Sequence, residues 1–247
     1  MKKTSLFLTA AMMLVVLRCG QAPKNSDASV YAGQPVSEFI SISETNAITP
    51  SKTPEDLLSA GDEILEKITG DLNGDGIDDV VIFTKQTIHE DDWYGNRRGI
   101  YIAFKKGEFY ELAAVMPGCF GSRGDSGPIT IEIKEGKLYI HEIFSSFVNH
   151  NWTFRYQNNN FELIGFDAYD RETKFYERFN TNLMTETTAS INFLTKKVVV
   201  KTVIWEEDLN EVFNEEERIW DILLETLVKL TDIKQFDVFD IGKHYSE

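Results

Sequence analysis

Cysteine is almost missing: Cys19 and Cys119 are the two in 247 residues, and Cys19 sits in an N-terminal leader that is removed or modified. No disulfide framework can therefore hold this chain. Histidine is nearly as scarce, with four residues (His89, His141, His150 and His244) at spacings that fit no zinc cluster. None of them forms a recognisable motif with Cys119, and a lone thiol needs a base placed by the fold before it becomes a nucleophile. Positive charge is short as well: 25 Lys and Arg stand against 40 Asp and Glu, a formal net charge of -15. So acidic a surface repels phosphate backbones, which argues against nucleic acid as a partner and leaves cations as compatible ones. A Gly-rich phosphate loop and a serine elbow are also absent from the sequence. Forty acidic residues offer many pairs for glycosidase chemistry, yet no motif singles out two.

Long hydrophobic runs are missing too. The longest, residues 6–17 in "MKKTSLFLTAAMMLVVLRCG", is too short to span a bilayer comfortably. Behind a basic start and ahead of small polar residues, it has the layout of a secretory signal, so residues 1–19 read as a signal peptide. Two processing sites compete. Cys19 resembles a bacterial lipoprotein cleavage site and is the candidate lipidation residue, although Arg18 stands where a small residue is usual. A cut after "GQA" would instead leave Pro23 at the new N-terminus. Residues 20–53, rich in Ser, Thr, Asn, Ala and Pro, read as a flexible tether.

Residues 54–247 read as one β-rich domain. "TPEDLLSAGDEILEKI" has a Thr cap and an early Pro and suggests a short helix. From Val80 to about Thr202, runs such as "VVIF", "GIYIAF", "FYELAAVM", "KLYIHEIF" and "KVVVKTVI" are rich in β-branched and aromatic residues, with turn signals between them. "ITIEIKEGKLYIHEI" and "NWTFRYQNNNFELIGF" each read as a hairpin. In the second, Trp152 and Phe154 are expected on opposite faces, one of them core. "NEEERIWDILLETLVKL" changes the period: Ile219, Ile222, Leu223, Leu227 and Leu230 fall three or four apart behind an acidic first turn. It predicts an amphipathic helix at about 214–230 packed on the sheet. The expected fold class is mainly β (α+β), an antiparallel sheet domain with a C-terminal helix, and not a full propeller.

One stretch speaks about chemistry. "GDLNGDGIDDVV", residues 70–81, reads Asp71-x-Asn73-x-Asp75-Gly76-x-x-Asp79. Alternate side-chain oxygens, a glycine for the sharp turn and the carbonyl of Ile77 match the first part of an EF-hand loop, which wraps calcium in oxygens. Two carboxylates about 4 Å apart repel by roughly 4 kcal/mol at an effective dielectric near 20, so converging acids call for a cation. Magnesium, with its octahedral, water-rich shell, fits less well. The competing reading is an Asx-rich turn that binds nothing. The EF-hand itself does not fit, because Ile82 occupies the twelfth position and a strand follows.

Ending at Asp79 and running straight into a strand, the loop resembles the calcium loops of FG-GAP and VCBS-like repeats, familiar from integrin-type propellers. A propeller needs several copies, and the sequence has one. More widely, "GDLNGDGIDD", "WTFRYQNNNFELIGFD" and "SINFLTKK" look like a group of secreted bacterial proteins with a single such loop. That resemblance implies one β-rich domain and an envelope or secreted location, and it brings no activity. Two further stretches are candidates only. "HEDDWYGNRRG" could contact a carbohydrate or peptide, and Arg123-Gly124-Asp125 is the integrin-type tripeptide in what is more simply a tight loop. The expectation is an exported envelope protein, a non-catalytic binding module with structural calcium on Asp71, Asn73, Asp75, Ile77 and Asp79. The alternative is a secreted glycan- or peptide-directed hydrolase with the same calcium site. The expected partner is an envelope or extracellular ligand, with membrane contact only through a lipid on Cys19.

Overall fold

The computed structural model describes residues 50–86, 97–120, 127–176, 181–206, 211–236 and 239–244. The signal peptide, Cys19 and tether residues 20–49 lie outside these, as do residues 87–96, which include most of "HEDDWYGNRRG", and Arg123-Gly124-Asp125.

The described residues form two antiparallel meanders. The first is a four-stranded sheet of β1 (Asp62–Gly70), β2 (Asp79–Gln86), β3 (Arg97–Lys106) and β4 (Phe109–Phe120), in that order. The second has seven strands: β5 (Ile129–Lys134), β6 (Lys137–Ser145), β7 (Val148–Gln157), β8 (Asn160–Tyr176), β9 (Thr181–Asn192), β10 (Lys197–Glu206) and β11 (Glu211–Asp221). Each strand pairs with its neighbour in the chain, so short turns suffice. Both expected hairpins are present. Glu135 and Gly136 join β5 to β6, and Asn158 and Asn159 join β7 to β8, all four with positive φ as a two-residue hairpin turn requires.

The main core lies between the two sheets. Ile100, Ile102 and Phe104 of β3 meet Ile140, Trp152 and Phe154 of the larger sheet in one buried cluster. The Phe104 and Tyr156 rings pack edge to face at 4.7 Å. β2 and β3 are buried on both faces, which explains why "VVIF" and "GIYIAF" are apolar without alternation. Val80, Ile82, Tyr101 and Ala103 form a second, smaller core on the far side of the four-stranded sheet, against Leu57 and Leu58.

Three expectations fail. No helix of seven or more residues occurs among the described residues, so the helix at 214–230 is absent. Its first part is β11, paired to β10 from Glu206↔Glu211 to Lys197↔Asp221. Ile219 and Leu223 are 59% and 69% exposed, whereas Ile222, Leu224 and Leu230 are buried. Alternation through Trp220, Ile222 and Leu224 is what the fold uses; the three-and-four spacing is incidental. The N-terminal helix shrinks to a 3-10 turn at Pro54–Leu57. Gly61, at φ 91°, then turns the chain into β1, where it satisfies the edge of buried β2. Trp152 and Phe154 share the core face, as residues two apart in a strand must. β9, "TNLMTETTASIN", is a strand whose threonines hid its alternation: Leu183, Thr187, Ala189 and Ile191 point inward.

Candidate functional site

The acidic loop joins β1 to β2, with Gly70 and Asp79 directly opposite each other at its base. Its glycines are structural: Gly74 and Gly76 have φ of 80° and 82°, a left-handed backbone that other residues adopt at a cost. The acidic side chains brace this backbone. Gly74 and Gly76 donate their N–H groups to the two oxygens of Asp71 at 2.7 and 2.9 Å. Asp75 N–H donates to Asn73 Oδ1 at 2.9 Å, and Ile77 N–H to Asp75 Oδ1 at 2.8 Å. The backbone N–H of Gly76, ahead of that of Gly74, holds the Asp71 carboxyl below the usual range.

Asp79 behaves differently from the other four. It is fully buried, and its two oxygens accept the backbone N–H of Leu72 at 2.9 Å and of Lys105 at 3.0 Å. Burial pushes its carboxyl up, against the pull of those two donors. Asp79 thus ties the acidic loop to the end of β3, while the buried Leu72 side chain pins it to the main core. Asp78 is exposed beside it.

The loop is therefore a braced turn whose outer oxygens face solvent. Each carboxylate oxygen has two lone pairs and a backbone N–H uses one, so Asp71, Asn73 and Asp75 keep acceptor capacity. With the Ile77 carbonyl, the donor set is all hard oxygen, which suits calcium. Among the described residues, no three carboxylate, imidazole or thiol groups converge on one point. Asp71 and Asp75 sit on the outer rim and Asp79 faces inward.

The other candidate thiol is inert by position. Cys119 is buried in β4, and burial, with Glu142 nearby, pushes its pKa well above the ordinary value. Around it lies a polar group that sequence reading overlooked. Glu142 of β6 and His150 of β7 stand opposite each other, both buried, and Arg98 of β3, on the other sheet, feels the Glu142 charge. Burial lowers the Arg98 pKa and the Glu142 charge raises it; the guanidinium also donates to the Gly127 carbonyl at 3.4 Å. His150 is packed among the rings of Phe144, Trp152 and Phe166, and burial drops its pKa to about 4. One sequence signal could have found the pair. In "KLYIHEIF" the inward positions are Leu138, Ile140 and Glu142, so the glutamate falls where an apolar residue is due.

The outer face of the seven-stranded sheet is polar. Thr130, His141, Asn151, Asp167 and Ser190 lie opposite one another in a row across β5 to β9. His141 Nδ1 hydrogen-bonds Asn151 Oδ1, and on an adjoining row Tyr169 donates its hydroxyl proton to Glu186 Oε1 at 3.1 Å. Among the described residues no helix is long and apolar enough to cross a membrane. No protein-family model, curated protein or solved structure matches this chain.

Proposed function

We propose that this chain is an exported bacterial envelope protein, lipid-anchored through Cys19 or released, that works as a non-catalytic binding module. On this reading calcium clips the β1–β2 loop through Asp71, Asn73, Asp75 and the Ile77 carbonyl, with Asp79 securing the base of the site and completing the FG-GAP-like set. The observation that carries the reading is the bracing of the loop. Four side-chain oxygens already hold Gly74, Gly76, Asp75 and Ile77 in a tight turn, so little further ordering would be needed to bind a cation. The calcium would neutralise the acids of the rim and fix the approach to β2, a central strand of both cores. A broad polar sheet face, with hydroxyl, amide and aromatic groups in cross-strand rows, favours binding of an envelope or extracellular ligand over hydrolysis in a cleft.

Thermal melting tests it, with chelator and with millimolar calcium, on wild type and on Asp75→Ala. Asp75 is exposed and braces a single N–H, so its loss alone should cost little. Extracellular sites of this kind bind at about 0.1–1 mM, and calcium at about ten times its dissociation constant adds ~1.4 kcal/mol. That is a rise of about 3–5 °C in a domain of this size, absent in Asp75→Ala and weaker with magnesium. An unchanged wild-type melt would leave an Asx turn that binds nothing.

A further inference from the structure

The seven-stranded sheet has two ends, and they are finished differently. At one end β5 lies against β1 of the other sheet: a Cβ on Gly70 would sit 2.6 Å from Ile133 Cγ2. At the other end β11 pairs with β10 on one side, and among the described residues no strand pairs with its other side. Its 11 residues leave N–H and C=O groups directed outward at every second position. An open edge of that length is a template for another strand, and proteins protect such edges by charge, by shortness or by cover.

β11 is not short, and no strand among the described residues covers its outer edge, but it is charged at its centre. Glu216 is the middle residue of Glu211–Asp221, flanked by Glu215 and Glu217. Two copies pairing antiparallel about that midpoint would bring three glutamates against three, so the edge is built against self-association. The neighbouring cations are already engaged. Lys197 binds Asp221 at 2.9 Å and Arg218 binds Glu216 at 2.6 Å. Lys201 binds Glu215 at 2.6 Å and stands opposite Glu217, so one lysine serves two acids. Val212 and Ile219 are 50% and 59% exposed toward the two ends and offer apolar grips beside the acidic middle.

We propose that the open edge of β11 is a docking site for an extended basic segment of another protein, which adds to the seven-stranded sheet as a further strand. Backbone hydrogen bonds supply the docking, and Lys or Arg opposite Glu215 and Glu217, which share one face of the strand, selects the partner. The inference rests on the binding-module reading but not on calcium, so the assay is run in chelator and repeated in calcium.

The test uses the full chain and a fluorescent, alternating Lys-Val peptide of about ten residues, the length of the edge. Saturable binding by anisotropy at low salt, weakening as salt rises, is expected. Methylating alternate peptide nitrogens removes the donors on one side and should weaken binding at least tenfold. Glu217→Lys, checked for an unchanged circular dichroism spectrum, should weaken it about fivefold. Amides within 211–221 should gain protection from hydrogen exchange. Equal binding of the methylated peptide would make the effect a general attraction to an acidic surface and overturn the proposal. So would protection gained elsewhere, a dimer of the chain paired through β11, or no binding at low salt.

Discussion

His150 shows how one residue can couple this fold to pH. Its imidazole is buried among three aromatic rings with Glu142 opposite, and burial lowers its pKa from 6.5 to about 4. Between those values the unfolded chain takes up a proton that the folded chain refuses, so stability falls as the pH falls through that window. At pH 7 the group is neutral in both states and costs nothing; at pH 5 the difference amounts to about 2 kcal/mol. His150→Phe keeps the ring and removes the proton site. Urea midpoints at pH 7.5 and pH 5 should therefore lie closer together in His150→Phe than in wild type, and an equal gap would show that the imidazole protonates freely in the fold. Glu142 is tied to the same event. Protonation of the imidazole would place a new cation opposite Glu142, whose charge already acts on Arg98. The residue scale is also where sequence reading did best and worst. The Asp71-to-Asp79 spacing is local, and the structure gathers these residues in one turn between β1 and β2. Glu142 and His150 face each other across one hairpin, but Arg98 approaches Glu142 only because two sheets stack, which no local spacing reveals.

At the scale of elements, strand reading worked where the strand was rich in β-branched and aromatic side chains and failed where it was polar or ambiguous. β2, β3, β6, β7 and β10 were legible because burial on one or both faces demands such residues. β9 and β11 were not, since threonine stands at an inward position of β9, Thr187, and glutamates fill the centre of β11. The acidic run of β11 suits a helix N-terminus and an exposed strand edge equally well, and the deciding factor is tertiary. β10 presents a full ladder of backbone groups that β11 satisfies. The two assignments make opposite predictions. In a helix Ile219 and Ile222 would share one buried stripe. In the strand Ile219 faces solvent and Ile222 is in the core. Ile219→Thr should change stability by less than about 0.5 kcal/mol, while Ile222→Ala should cost about 2–4 kcal/mol. Similar large losses for both, measured by denaturant unfolding, would restore the helix.

At the scale of the whole molecule, the unexpected feature is what the C-terminal residues do once they leave β11. Residues 222–236 cross the main core as an irregular segment with a 3-10 turn at Leu230–Asp232, carrying Ile222, Leu224, Val228, Leu230, Ile233 and Phe236 into it, and Ile241 joins them. The segment is hydrogen-bonded as well as buried: Leu163 donates its N–H to the Val228 carbonyl at 2.8 Å, and Ile222 N–H donates to Lys196 O at 2.9 Å. Phe236 stacks on Phe120 of the smaller sheet at 5.0 Å and meets Trp152 of the larger one at 5.2 Å, so it joins the sheets directly. Burying a large apolar side chain contributes about 1.5–3 kcal/mol, so these residues together carry on the order of 10 kcal/mol. Domains of this kind have only about 5–15 kcal/mol of net stability. Cutting the chain after Asp221 leaves all eleven strands in place yet should abolish cooperative unfolding. The near-ultraviolet signal of Trp152 should collapse while strand content in the far ultraviolet largely survives, as in a collapsed state without fixed packing. A truncated chain that still melted sharply would place the core in the two sheets alone, and the C-terminal segment would then be a covering that the fold can do without.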